Sequence, residues 1–145
     1  MKIELKTLLI FGSRTLDDAR VWDIIQQKAK GYDVIITALD PRGVCAVARQ
    51  YAKASRDGFV LMAVGLDSKR AAGMHEARSI KALKMADKML AIWDGRSKGT
   101  QNEIGLASKL NVPHEVITLT QVKKHVATDD EIISEIESVL TPDMR

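Results

Sequence analysis

Six residues, Gly95-Arg96-Ser97-Lys98-Gly99-Thr100, hold two glycines, two hydroxyls and two cations just ahead of a helical stretch. That mixture suits a phosphate. The first backbone N–H groups of a helix have no partner within it and carry partial positive charge. Glycine lets an anion approach that backbone, and a hydroxyl or guanidinium adds a bond. A favourable charge at such an end contributes roughly 0.3–1 kcal/mol. Asp94 stands before the run, and Glu103 stands one turn into the helix behind it. Gly12-Ser13-Arg14-Thr15 and Asp40-Pro41-Arg42-Gly43 have similar character, although turn chemistry alone also explains their glycines and proline. With Gly65-Leu66-Asp67-Ser68-Lys69-Arg70, these loops carry Arg14, Arg42, Lys69, Arg70, Arg96 and Lys98 against Asp40, Asp67 and Asp94.

Other chemistries lack their residues. There is no G-x-G-x-x-G, no G-x-x-x-x-G-K-[ST] and no G-x-S-x-G. Three His and one Cys show no metal-ligand spacing, so no metal is expected, and no cofactor is expected either. Cys45 has no second cysteine to pair with and reads as a small buried residue. His75 and His114 read as ordinary polar residues. Trp93 ends an apolar run at the ligand edge, where stacking on a base and packing in the core compete, with core packing preferred. Trp22 reads as packing a helix onto the sheet, and Met85 and Met89 as core.

These loops need a frame. Five apolar runs punctuate the chain: Leu8–Phe11, Val34–Ile36, Phe59–Val64, Met89–Trp93 and Val116–Leu119. Each is nearly continuous, as strands covered on both faces require. Helical spacing fills the gaps over 17–30, 44–55, 72–86 and 100–110, and a last acidic helix is expected at about 129–140. Strand and helix alternating without a break give an α/β domain of three layers, with a mainly parallel sheet of about five strands. In such a sheet, ligands bind at the carboxyl ends of the strands.

The chain has 145 residues, 22 basic and 19 acidic, for a net charge of +3. That length fits one domain, read here as 1–145. With 46% hydrophobic content, the chain is neither disordered nor a disulfide scaffold. No apolar run approaches the ~20 residues that span a bilayer, so no membrane partner is expected. The lone cysteine and the absence of a signal-like N-terminus read as cytoplasmic. The basic balance outside the acidic tail keeps nucleic acid among the possible partners.

The run Trp93-Asp94-Gly95-Arg96-Ser97-Lys98-Gly99-Thr100, with Gly12-Ser13-Arg14 after the first strand and Ala72-Gly73 opening a helix, resembles the SLOG superfamily. It is most similar to the YAcAr-type branch, over roughly Thr7 to Thr118. The chain departs from that branch at Ala38-Leu39, where Gly-Gly is usual, and at Val44-Cys45, where an acidic residue follows the glycine. The resemblance implies a Rossmann-like domain that binds a nucleotide, a nucleotide sugar or another ribose phosphate, and that forms a homo-oligomer. Gly99-Thr100-Gln101-Asn102-Glu103 also matches the Gly-Thr-x-x-Glu of the LOG-type phosphoribohydrolases. By that resemblance, Glu103 supports attack on a ribose anomeric carbon and Arg78 holds the phosphate or orients the Glu. DNA-processing protein A belongs to the same superfamily and implies single-stranded DNA as a third ligand class. The expected ligand-binding residues are Gly12, Ser13, Arg14, Gly43, Asp94, Gly95, Ser97, Gly99 and Thr100. Whether the protein is a binder or an N-glycosidic bond hydrolase stays open at this point.

Overall fold

The structure, a computed structural model, describes residues 4–56, 58–64 and 72–120, with the side chains at 64 and 72–78 outside that description. Its elements are β1 (Thr7–Gly12), α1 (Ala19–Lys28), β2 (Val34–Ala38), α2 (Val44–Ala54), β3 (Val60–Val64), α3 (Ala72–Met85), β4 (Lys88–Trp93), α4 (Lys98–Lys109) and β5 (His114–Thr118). The strands form one sheet in the order β3-β2-β1-β4-β5, with every pairing parallel. This is the expected Rossmann-like α/β architecture. The expected acidic helix at about 129–140 lies outside the described residues. Among the described residues, no helix is long and apolar enough to cross a membrane.

Alternation along each strand sends side chains to two cores. Leu8, Ile10, Ile35, Leu90 and Ile92 pack with Val21, Ile25, Val47 and Tyr51 of α1 and α2. Leu9, Phe11, Ile36, Met89 and Ala91 pack with Ala82, Leu83 and Ala107 of α3 and α4. Trp22 meets Tyr51 edge-to-face at 5.4 Å, so it joins α1 to α2 as well as to the layer beneath. The central strands are covered on both faces, as their continuous apolar runs require. The edges differ: β5 alternates between exposed and half-buried residues, and Val60 and Met62 of β3 are exposed. The fifth strand also starts two residues before its apolar run, because His114 pairs with Met89. Met85 is exposed rather than core, whereas Met89 is fully buried.

Chain order reverses between β1 and β4, so the loops after them diverge and leave a crevice at their carboxyl ends. Two glycines close one side of it. A Cβ on Gly12 would lie 2.4 Å from the Ile92 carbonyl oxygen and 2.5 Å from the Val44 Cβ. A Cβ on Gly43 would lie 2.4 Å from the Arg14 Cα, and φ there is +82°. Gly31 has a similar φ of +87° but open space around it. Gly31→Ala should therefore lower stability in urea titrations by about 1 kcal/mol, from backbone strain alone. Gly43→Ala should cost about 3 kcal/mol or more, because strain and overlap add.

Candidate functional site

Three helix starts with described surroundings face the carboxyl edge, and they differ in what they offer an anion. At α1, the Asp18 carboxylate accepts from the Arg20 N–H at 3.0 Å and pairs with the Arg20 guanidinium at 2.8 Å. That hydrogen-bonded pairing holds the Asp18 carboxyl below its usual range. A helix start already carrying a carboxylate repels a second anion. At α2, the Val44 N–H donates to the Ser13 carbonyl at 3.2 Å, and the backbone of Ser13 and Arg14 sits against Gly43. At α4, Ser97 makes no side-chain cap bond, and Gly99 has nothing within 4 Å of where a Cβ would stand. A carboxylate stands near this start too, but Asp94 bonds the N–H groups of Arg96 and Ser97 ahead of the helix, so among the described residues this start alone leaves its first turn uncapped beside an open glycine.

It opens onto a hollow of about 880 Å³. Gly12, Ser13 and Arg14 line it from β1, Ala38, Asp40 and Cys45 from the β2–α2 side, and Ser97, Gly99, Thr100 and Glu103 from α4. Gly105, Leu106 and Lys109 extend it along the helix. The volume lies within the usual range for small-molecule sites.

The turn into α4 is built by Asp94. Its Oδ1 accepts from the N–H groups of Arg96 and Ser97, both at 2.8 Å. Its Oδ2 accepts from Thr15 Oγ1 at 2.7 Å and Ser97 Oγ at 3.0 Å. Burial pushes this carboxyl up, but those hydrogen bonds outweigh it and hold the group well below the usual carboxylate range. Gly95 takes φ +81° to turn the chain, and Trp93 Nε1 donates to the Ser97 carbonyl at 3.0 Å. Trp93 therefore braces the turn and is not part of the lining. Asp94, Gly95 and Gly43 shape the hollow from behind; they do not line it.

Glu103 is half-buried, not the surface residue that a carboxylate near a helix start usually is. Its Oε1 accepts from Ser79 Oγ of α3 at 2.5 Å. Its Oε2 is buried and has no partner among the described residues. Burial pushes the carboxyl up, and the Ser79 hydroxyl only partly offsets this. The group is thus biased toward a neutral acid.

Among the described residues, the cations of the loops do not converge on the hollow. Arg14 lines the hollow, but its guanidinium is paired with Asp40 at 3.0 Å. Arg42, Arg96 and Lys98 are exposed and do not line it, and Lys69 and Arg70 lie outside the described residues. Arg78 sits on α3, with its side chain outside that description. Arg49, unnoticed in the sequence, donates instead to the carbonyls of Ala38 and Asp40 and fixes the β2–α2 loop. Ser79 was also unread. It is a polar residue at the core-facing spacing of Ala82 and Leu83, and that break in an apolar stripe was the signal available. Cys45 is buried, as expected of a small core residue, and burial pushes its thiol up. His114 bonds to the Val112 carbonyl at 2.8 Å, an ordinary polar role.

No family model and no curated protein matches the chain. Among solved structures, it is similar to a pantoate-beta-alanine ligase from Francisella tularensis complexed with beta-gamma ATP and beta-alanine. The likeness covers 96% of this chain and 72% of that one, at 14% identity and a TM-score of 0.42. At that score it carries no argument about a ligand.

Two carboxyls give opposite pH signatures. Asp94, favoured as an anion, adds stability above the unfolded value near 3.8 that is lost as pH falls. Asp94→Asn should lose about 1 kcal/mol at neutral pH, allowing for solvent screening, and the gap should close in acid-series denaturation curves. Glu103, favoured as an acid, loses stability as pH rises above about 4.5. Glu103→Gln should melt above the wild type at neutral pH, by about 1 kcal/mol in stability, with the advantage gone in acid.

Proposed function

We propose that the hollow binds a nucleotide or another ribose phosphate, with the phosphate at the start of α4, and that the chain is a SLOG-type domain. One observation carries this reading: of the three helix starts with described surroundings, only α4 leaves its first N–H groups without a side-chain cap beside an open glycine. Thr100 and Ser97 add hydroxyls on the same wall, and Arg14 reaches it from the opposite rim. Single-stranded DNA fits less well, since Arg42, Arg96 and Lys98 stand apart from the hollow.

The test separates binding from folding. Gly99→Asp places a carboxylate in the first turn of α4, where it favours the helix by roughly 0.3–1 kcal/mol and repels phosphate. The wild type should gain melting temperature with at least one of the four ribonucleoside monophosphates or ADP-ribose. Gly99→Asp should melt at or above the unliganded wild type and show no such gain. No gain in the wild type with any of the five removes the reading.

Glu103 favours a second reading, hydrolysis of the N-glycosidic bond. Cleavage builds oxocarbenium charge on the ribose, and the leaving base takes a proton. A carboxyl that burial shifts toward its protonated form can supply that proton; as a carboxylate it then faces the cationic sugar and takes a proton from the water that adds to the anomeric carbon. Released base from nucleoside monophosphates, followed by chromatography, should fall at least ~100-fold in Glu103→Gln. Release as fast as in the wild type would reject this role.

A further inference from the structure

We propose that the hollow has a second subsite on the flank of α4, where a planar aromatic base lies against the helix backbone at Gly105, between Asn102 and Lys109. This subsite rests on the ribose-phosphate reading and narrows the ligand to a nucleotide with its base attached, not a sugar phosphate alone.

Gly105 stands inside α4, where glycine favours a helix less than alanine does. Elsewhere the fold explains its glycines. Gly12 and Gly43 meet backbone, and Gly31, Gly43 and Gly95 take positive φ. Gly105 takes no positive φ, and no described residue comes within 4 Å of where its Cβ would stand. It lines the hollow. The missing side chain therefore leaves bare helix backbone facing open space inside the hollow.

The surrounding residues suit a base. Side chains three, four and seven apart share a helix face. Asn102, Gly105 and Lys109 thus form one row, and Gly99, Glu103 and Leu106 form the next, and all six line the hollow. In the first row, two polar side chains flank a gap one side chain wide. In the second, half-buried Leu106 offers apolar surface beside that gap. A base has a π-face and a polar edge. Its face covers Gly105 and Leu106, while the Asn102 amide and the Lys109 ammonium donate to acceptors at its edge.

Order along the helix agrees with order along a nucleotide. At the rise of an α-helix, Glu103 stands about 6 Å and Gly105 about 9 Å beyond Gly99 along the axis. Phosphate at Gly99, sugar at Glu103 and base at Gly105 follow that order. The other end of the hollow suits a base less, because the Arg14–Asp40 pair at 3.0 Å presents charge there.

The probes are ribose 5-phosphate and the four ribonucleoside 5′-monophosphates, measured by calorimetric titration. The readout is the affinity ratio of nucleotide to ribose 5-phosphate, which cancels any change at the phosphate end. For at least one base, the wild type should show a ratio of about 10 or more, from the apolar area that a base buries. Gly105→Leu fills the gap with a strong helix former, so it should melt at or above the unliganded wild type. It should bring the ratio to within about threefold of unity, with Gly105→Ala falling between. A wild-type ratio near unity for all four bases, or one unchanged in Gly105→Leu, overturns the base subsite and leaves ribose-phosphate binding standing. Failure of the wild type to bind any of these probes overturns both.

Discussion

Ser13 is the point at which the carboxyl edge is tied together. Its N–H donates to the Ile92 carbonyl at 3.0 Å, joining the end of β1 to β4. Its carbonyl accepts from Leu16 and Val44, both at 3.2 Å, joining the first loop to itself and to α2. Its hydroxyl accepts from the Asp94 N–H at 3.0 Å, joining it to the turn before α4. A buried residue with this many bonds leaves little freedom to the loops around it. The glycines at 12 and 43 follow from that closeness, because backbone meets backbone with no room for a side chain.

Charge at this edge is arranged by pairing more than by accumulation. Asp18 has Arg20, Asp40 has Arg14, and Asp94 has two N–H groups and two hydroxyls. Exposed pairs of this kind contribute little to stability. Their effect is on the local field: Arg20 and Arg14 offset Asp18 and Asp40, whereas Asp94 keeps its negative charge just ahead of α4. Glu103 differs from all three in having one hydroxyl and a second, buried oxygen with no partner among the described residues.

Much of this was legible in the sequence because it depends on local pattern. Continuous apolar runs marked the central strands, and Gly12-Ser13-Arg14 and Gly99-Thr100 marked walls of one hollow. The edge strands were read less well, since β5 begins with His114 and Glu115, whose pairing with β4 no apolar pattern announces. The cations of the loops were counted as one cluster, but sequence position does not say which way a long side chain turns. Arg14 meets Asp40 from 26 residues away. Ser79 meets Glu103 from 24 residues away, across two helices. Such partners are set by how α3 and α4 pack, which no single segment encodes.

The wiring of the sheet also sets what each closure costs the chain. β1 meets β2 across a separation of 27 residues, seen in the bond from Thr37 to Ile10, whereas Asp94 reaches Ser13 across 81. Closing the longer loop costs about 1 kcal/mol more in chain entropy. Chains rich in contacts of that span fold more slowly than chains rich in local ones. The crevice between β1 and β4 therefore carries the costlier closure of the two, and an occupant that binds only the folded chain offsets part of that cost.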